Sequence, residues 1–354
     1  IYTARSKLRM NILDESIVQV VAENVKPRDI IAKTVVKMKV EKNDDAFYVM
    51  DIGEVVRRFE EWQSLLPRVH PFYAVKCNSH PVILTVLGAL GSGFDCASKS
   101  EIEDVLNIGV PASRIIYANP CKSKTHLQFA AVKKAGLMTF DDEYELHKIK
   151  EVYPDAKLVI RIKADDPSAL VNFRIKFGCD VKHARHLLQV AKQLSLNVVG
   201  VSFHVGCLCR DATAYATAIG LSRLVFNYAA DIGFNFTLLD IGGGYPGDGK
   251  KPITIQCIAE QINQALSEHF PDGCGVTVIS EPGRYFAWST CTLCVNVIGK
   301  RVKEIDMKSV GEGTLKENTD CMEVSHMYYC NESRYLSFGI LLTLQSKIVP
   351  ILLK

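Results

Sequence analysis

Short apolar runs rich in β-branched and aromatic residues recur eight times along the chain, and this recurrence limits the possible folds more than any other feature. The runs are residues 72–76, 93–96, 115–118, 137–141, 158–162, 198–204, 237–241 and 276–281. Between them, apolar residues recur at helical spacing, for example Ile255, Ile258 and Ile262. Alternation of strand and helix repeated eight times predicts an α/β fold, a (β/α)₈ TIM barrel, with an open doubly wound sheet as the alternative.

The chain outside these runs predicts a second, β-rich region. A strand-like and helix-like piece, 46–62, precedes the runs, and a strand-like stretch, 291–302, follows them. The polar, glycine-containing stretch 306–323 predicts a loop, and the residues from 328 onward are too few for a separate sheet domain. The predicted divisions are an N-terminal segment contributing to the β domain (1–45), the barrel (46–285) and an incomplete C-terminal β-domain portion (286–354).

Composition excludes several classes of protein. The 354 residues are 48% hydrophobic and 23% charged, which is typical of a globular chain and not of a disordered one. A net charge of +3 gives no electrostatic reason to expect nucleic acid or a membrane surface as a partner, and the most apolar late stretch, 339–354, is too short to cross a bilayer. The chain does not begin with Met, so we expect a fragment of a longer chain.

The 12 cysteines predict reduced thiols and no metal site. They are scattered, without the spacing of a disulfide framework, and no secretory signal precedes them, so we expect a cytoplasmic protein. The closest pair, Cys291 and Cys294, has an odd offset along a strand-like run. Their sulfurs would point to opposite faces of the strand and could not share a zinc ion.

Polar residues stand at or near the end of every predicted barrel strand. They are Lys76, Asp95, Asn119, Asp141, Arg161, His204, Asp240 and Glu281. In (β/α)₈ barrels the reactive groups lie at the carboxyl ends of the strands, so these residues are the candidates for a functional site.

Lys76 follows an apolar run, which suggests a lysine inside the barrel. Loss of hydration there would lower its pKa and favour attack on a carbonyl, the first step of Schiff-base formation. The alternative is a surface lysine whose stem covers apolar atoms.

Three further features suggest an anion and a planar ring. Gly242-Gly243-Gly244 follows a predicted strand, where glycines let backbone N–H groups approach a phosphate, and Arg284 could hold the same phosphate. Glu281, which we expect to be ionised beside that arginine, could face a pyridine nitrogen, and His204 could lie against the ring. A plain loop and a satisfied core histidine are the alternatives. Together with Lys76, the set describes a pyridoxal phosphate pocket.

Several motifs resemble one family in particular. They are Pro71-Phe72-Tyr73-Ala74-Val75-Lys76-Cys77-Asn78, Gly93-Phe94-Asp95-Cys96-Ala97-Ser98, Ile115-Ile116-Tyr117-Ala118-Asn119-Pro120-Cys121-Lys122, Val201-Ser202-Phe203-His204-Val205-Gly206, Asp240-Ile241-Gly242-Gly243-Gly244 and Glu281-Pro282-Gly283-Arg284-Tyr285. The chain resembles the eukaryotic ornithine decarboxylase family, whose fold is the alanine racemase-like, fold-type III barrel. The resemblance runs from about residue 46 to 300 and resumes at 327–329.

The resemblance implies pyridoxal 5'-phosphate as cofactor, L-ornithine as substrate, putrescine as product of a step in polyamine biosynthesis, and a homodimer. It implies that Lys76 and His204 are catalytic, with Lys76 holding the cofactor and His204 stacking on its ring. The cofactor-binding residues that it implies are Lys76, Asp95, Glu101, Arg161, His204, Cys207, Gly242, Gly243, Gly244, Glu281, Gly283 and Arg284.

This chain departs from the family pattern in its substrate half. Cys207-Leu208 stands where the family has Ser-Gly, and a thiol is a poorer hydrogen-bond donor to phosphate. The family's substrate-binding aspartate falls near Leu344, and its late Cys-Asp pair has no counterpart before Lys354. The cofactor half of the site is therefore expected to be complete and the substrate half to be incomplete.

Two alternatives to an ornithine decarboxylase remain. The family includes antizyme inhibitors, which bind antizyme without catalysis, and the equivalent segment here runs from Asn119 to Glu143. We expect Lys122, Lys124, Lys133 and Lys134 to lie on its surface helix and flanks, where an ordinary solvated basic face is the simpler interpretation. The other alternative is a related decarboxylase acting on arginine, lysine or diaminopimelate.

Overall fold

The computed structural model describes residues 18–22, 24–164, 176–206, 211–247, 253–305, 323–333, 335–339 and 350–353. The helices are α1 (Pro27–Glu41), α2 (Ile52–Leu65), α3 (Pro81–Leu90), α4 (Lys99–Asn107), α5 (Lys124–Val132), α6 (Glu143–Val152), α7 (Val181–Gln193), α8 (Thr213–Ile232), α9 (Ile255–His269) and α10 (Arg284–Ala287). The strands are β1 (Phe47–Met50), β2 (Val69–Ala74), β3 (Gly93–Cys96), β4 (Ile115–Tyr117), β5 (Leu137–Phe140), β6 (Lys157–Arg161), β7 (Asn197–Ser202), β8 (Leu238–Asp240), β9 (Thr277–Ser280), β10 (Cys291–Cys294), β11 (Val297–Ile305) and β12 (Glu323–Cys330).

Strands β2 to β9 form a closed parallel barrel in sequence order, and β2 pairs with β9 to close it. Each of the eight predicted runs overlaps one of these strands, so the predicted (β/α)₈ fold is confirmed. A cluster of Ile116, Val159, Leu238 and Ile279 forms part of the apolar core. Because parallel barrel strands are buried on both faces, each reads as an almost unbroken apolar run.

Several of the helices between the strands begin at side-chain caps and bury one stripe of apolar residues. Ser98, Asp142 and Thr254 each accept a hydrogen bond from a backbone N–H in the first turn of α4, α6 and α9. In α9, Ile258 and Ile262 are completely buried. The caps satisfy N–H groups that lack partners inside a helix, and the stripe packs the helix on the barrel.

Two predicted strands, 72–76 and 198–204, extend two residues past the observed ladder. Strand β2 ends at Ala74, and Lys76 lies in a 3₁₀ turn, Val75–Cys77. Strand β7 ends at Ser202, two residues before His204. The N–H of Ala74 donates to the carbonyl of Pro282 at 3.1 Å, which joins the turn after β2 to the loop after β9. Both side chains therefore project from irregular backbone at the carboxyl end of the barrel.

The described residues form two compact units, one with Asp51–Thr290 and the other with Asn24–Met50 and the described residues from Cys291 onward. In the second unit, β1 pairs antiparallel with β10, and β11 pairs antiparallel with β12. The predicted strand 291–302 is thus two strands, β10 and β11. The predicted loop lies outside the described residues apart from Glu323, which begins β12. No helix in the described part of the chain is both long and apolar enough to span a membrane.

Candidate active site

Lys76 is paired with a buried carboxylate at the carboxyl end of the barrel. Its Nζ lies 2.5 Å from Oδ2 of Asp95, the third residue of β3. The side chain of Asp95 is fully buried, whereas that of Lys76 is 49% exposed. The amine is therefore held by a fixed acceptor and is still accessible to solvent.

The expectation that burial lowers the pKa of Lys76 is wrong. Burial acts in that direction, but the negative charges of Asp95 and Glu281, together with the hydrogen bond to Asp95, raise the pKa of Lys76 above its ordinary value. The ion pair directs the amine toward Asp95, while about half of the side chain stays exposed.

Asp240 and Glu281 form a pair of buried carboxyl groups at the ends of β8 and β9. Burial, with the neighbouring charge of Asp95, raises the pKa of Asp240 to about 7, although hydrogen bonds from Gly242 and with Glu281 act against this. Burial and the charges of Asp240 and Asp95 raise the pKa of Glu281 well above its usual range. The expectation that Arg284 keeps Glu281 ionised is therefore wrong. The pair therefore binds a proton more tightly than an exposed carboxyl group does.

His204 is a neutral imidazole with a defined tautomer. Its Nδ1 accepts a hydrogen bond from the N–H of Gly206 at 3.0 Å, so the proton of the neutral ring is on Nε2. Burial and the positive charges of Arg161, Lys76 and Arg284 hold its pKa well below the usual range. All three cations are thus near enough to the imidazole to disfavour a proton on it.

The glycine turn after β8 is shaped so that only glycine fits. Gly244 has φ +119°, in the left-handed region. A Cβ on Gly243 would lie 2.5 Å from the carbonyl oxygen of Glu281 and 3.1 Å from Nε2 of His204. The hydroxyl of Tyr215 donates to the carbonyl of Gly243 at 3.0 Å. The turn is packed directly against two of the predicted site residues.

The turn is also fixed from the adjacent strand. The N–H of Glu281 donates to the carbonyl of Gly242 at 2.7 Å. Ser280 Oγ donates to the same carbonyl at 2.6 Å, and its hydroxyl lies 2.7 Å from that of Tyr245. Ser280, Tyr215 and Tyr245 were not predicted as site residues, since a serine or tyrosine inside an apolar run carries no distinguishing sequence signal.

The remaining predicted residues that the structure describes lie near the same end of the barrel. Gly283 precedes α10, and a Cβ built on it would lie 3.0 Å from the Cβ of Cys77, next to Lys76. Glu101 accepts a hydrogen bond from the N–H of Ala97, and burial raises its pKa. The guanidinium of Arg161 lies over the ring of Phe177, 5.1 Å from its centroid. Cys207 lies outside the described residues, as does Leu344.

Two of the polar strand-end residues have local structural partners. Asn119 donates from its amide to the carbonyl of Ala97 at 3.4 Å. Asp141 accepts from the N–H of Gly178 at 2.6 Å. They anchor the loops around the site.

Three buried polar atoms at this end of the barrel have no hydrogen-bond partner within the described part of the chain: Asp95 Oδ1, Ser202 Oγ and Asp240 Oδ2. Native interiors leave very few such atoms unpaired, so a cluster of them points to a ligand or ordered solvent. Searching the same described residues gives no group of three or more His, Cys, Asp or Glu side chains that could hold a metal ion.

The expected surface position of Lys122 in the segment 119–143 is wrong. Its side chain is completely buried, and its Nζ lies 3.0 Å from Glu145 and donates to the carbonyl of Thr139 at 2.6 Å. Lys124, Lys133 and Lys134 are exposed, as expected.

Known proteins similar to this chain include pyridoxal-dependent decarboxylases. The family model for the pyridoxal-dependent decarboxylases, pyridoxal binding domain, matches residues 52–288. Ornithine decarboxylase of Mus musculus is 43% identical over 93% of this chain and 70% of its own length. Antizyme inhibitor 2 of Xenopus laevis is 44% identical over 97% of this chain and 74% of its own length.

A solved structure with the same architecture is the arginine decarboxylase of Paramecium bursaria Chlorella virus. It superposes with a TM-score of 0.81 at 37% identity, covering 91% of this chain and 82% of that one. The barrel is thus shared with fold-type III decarboxylases. By sequence, by fold and by the family model, the chain belongs to the pyridoxal-dependent decarboxylases.

Proposed function

We propose that this chain binds pyridoxal 5'-phosphate and removes the α-carboxyl group of L-ornithine as carbon dioxide, giving putrescine. The observation that carries the proposal is the Lys76–Asp95 pair, an accessible amine held on a buried carboxylate, with Glu281 close enough to raise the pKa of the amine. A homodimer and a cytoplasmic location are part of the proposal.

The residues present fit this cofactor on three counts. Arg161, Lys76 and Arg284 lie close enough to lower the pKa of His204, so the site offers positive charge to an anion. The glycine turn packs its backbone directly against His204 and Glu281, where any side chain on Gly243 would collide. The unpaired oxygens of Asp95 and Asp240 provide buried acceptors. The positive side chains, the glycine turn and the buried acceptor oxygens together suit a ligand with a phosphate group and a nitrogen-containing ring.

Each residue would then have a definite task. Lys76 would hold the cofactor through its amine, and Asp95 keeps that amine in place. Gly242–Gly244, Gly283 and Arg284 would hold the phosphate. The neutral ring of His204 would pack against the cofactor ring without adding a charge. The Asp240–Glu281 pair retains a proton that it can share with a ring nitrogen placed against Glu281.

When bound, the protonated pyridine ring supplies the electron sink that accepts the electron pair left by the departing carboxylate. Glu101 and Arg161 would line the lysine and the ring, as the family resemblance implies. The choice of ornithine rests on the Mus musculus relative, whose name states that activity.

The decisive experiment combines a spectrum with a product assay. Purified chain titrated with pyridoxal 5'-phosphate should gain a visible absorbance band and release carbon dioxide from carboxyl-labelled ornithine. Lys76→Ala should abolish the band and lower the release by about 10³-fold or more. The matched control is Lys124→Ala, an exposed lysine paired with Glu151, which should change neither.

Two other results would redirect the proposal. No band with the unsubstituted chain would refute cofactor binding. Faster release of carbon dioxide from arginine or lysine than from ornithine would support decarboxylation but show that ornithine is not the preferred substrate.

A second candidate function is binding of antizyme through the segment from Asn119 to Glu143. It is supported by the 44% identity to antizyme inhibitor 2 and by the exposed Lys124, Lys133 and Lys134. Capture of antizyme by the Lys76→Ala variant, lost on Lys133→Glu with Lys134→Glu, would favour this function. Lys150→Glu, an exposed lysine outside the segment, is the control. Equal loss with the control would argue against it.

A further inference from the structure

Helix α2 carries two consecutive arginines with different surroundings. Arg57, whose side chain is 56% exposed, pairs with Asp51 at 3.1 Å and Glu54 at 2.9 Å. Arg58, whose side chain is 16% exposed, pairs with Glu54 at 3.0 Å and Glu61 at 3.3 Å. The two side chains have similar ionic partners, but only Arg58 reaches into the barrel loops.

Arg58 contacts both loops that would hold the phosphate. Its Nη2 donates to the carbonyl of Gly247 at 3.2 Å, three residues after the glycine turn. Its guanidinium lies over the ring of Tyr285, the residue after Arg284, at 5.3 Å from the centroid. The hydroxyl of Tyr285 donates a hydrogen bond to the carboxylate of Glu61 on α2 at 2.8 Å. One guanidinium therefore connects two separate loops.

The two loops also touch each other at this point. A Cβ on Gly247 would lie 2.6 Å from the carbonyl oxygen of Arg284. Beneath them, the fully buried Trp62 of α2 packs edge-on against Tyr245 at 4.9 Å and against Tyr285 at 5.5 Å. The aromatic contacts fill space, whereas Arg58 provides the directional bonds that set the loop positions.

We propose that Arg58 is a positioning residue that fixes the glycine turn and the Arg284 loop in the geometry that holds a phosphate group. A glycine-rich turn has many accessible conformations. A hydrogen bond from outside the turn, such as that from Arg58 to Gly247, restricts these conformations before a ligand binds. The fork of the guanidinium suits this role, because it reaches Glu54, Glu61 and Gly247 at once. The inference rests on the proposed binding of pyridoxal 5'-phosphate.

The test compares two ligands that differ only in the phosphate. The chain and its Arg58→Met and Arg57→Met variants are titrated with pyridoxal 5'-phosphate and with pyridoxal, and bound ligand is followed by absorbance. Arg58→Met should raise the Kd for pyridoxal 5'-phosphate about tenfold while changing the Kd for pyridoxal less than about twofold. Arg57→Met should leave both constants unchanged, because Arg57 contacts neither loop.

Each other outcome has a defined meaning. Equal Kd values for Arg58→Met and Arg57→Met, or equal losses for both ligands, would overturn the role of Arg58. If Arg58→Met does not fold, Arg58→Lys gives the answer: an intermediate loss confined to pyridoxal 5'-phosphate supports the role, and unchanged binding overturns it. Absence of pyridoxal 5'-phosphate binding by the unsubstituted chain would instead refute the proposed function, a failure separable from this one.

Discussion

Lys76 and Lys122 both follow barrel strands and both pair with buried carboxylates, but their pKa values move in opposite directions. Lys76 faces the negative charges of Asp95 and Glu281, and its pKa is raised. Lys122 is completely buried, and burial lowers its pKa to about 8 despite the pair with Glu145. Glu145 is shared, because Lys148 lies 2.5 Å from it. Burial acts to lower the pKa in both cases, so the direction depends on how strongly the neighbouring carboxylates oppose it, not on the mere presence of an ion pair.

The difference separates a partly exposed lysine from a completely buried one. Lys76 is accessible and has an excess of acceptors around it. The amine of Lys122 pairs with Glu145 and donates hydrogen bonds to the carbonyls of Thr139 and Asn119 within the protein interior. Replacing each lysine should therefore affect different properties.

Replacing Lys122 with methionine should have the largest effect on stability. Glu145 would remain buried with Lys148 as its nearby cation, and the free energy of unfolding should fall by about 3 kcal/mol. Thermal unfolding followed by circular dichroism would measure the change. Lys124→Met, which removes an exposed ion pair with Glu151, is the control and should leave the unfolding temperature unchanged. Similar losses in the two variants would remove the distinction between the buried and the exposed pair.

A pH series should show a smaller effect of the same residue. The folded-state pKa of Lys122, about 8, lies below its ordinary value of 10.5, so the unfolded chain binds more protons between those values. Stability contributed by this group should therefore rise with pH, by about 2 kcal/mol between pH 8 and 10. Denaturant unfolding of the unsubstituted chain and of Lys122→Met would isolate this contribution. Parallel pH profiles would contradict it.

The smallest expected effect concerns His204. Lys76→Met removes one of the three cations that lower its pKa, so that pKa should rise toward its ordinary value. Titration of the imidazole by NMR would detect the shift, with Lys122→Met as the control expected to cause none. No shift in Lys76→Met would mean that burial and the arginines account for the whole effect.

Much of the fold was predictable because barrel strands are buried on both faces. The run 158–162 and its seven equivalents stand out as apolar stretches that any sequence scan detects. The strand ends were less predictable. Lys76 and His204 lie in turns beyond the strand ends. The strand pairing stops where backbone groups bond to neighbouring loops instead, as the N–H of Ala74 does with the carbonyl of Pro282.

The site was predictable as a set of residue types and not as a set of charge states. The positions of Lys76, Asp95 and Glu281 at strand ends indicated a site. The sequence does not show how the charges of these groups shift one another's pKa values. The burial of Lys122 was missed because its partner, Glu145, lies 23 residues away and only the fold brings them together. Ser202 was missed because its neighbours in β7 are apolar.

The bonds of Lys122 also tie together the two ends of the segment from Asn119 to Glu143. Nζ of Lys122 binds the carbonyl of Asn119 at the first end, while its backbone and side chain bind Glu145 just past the second. Helix α5 between these points is thus presented as a rigid element. A molecule that docks on its exposed face loses little conformational entropy in ordering it, so small contacts there can produce measurable affinity.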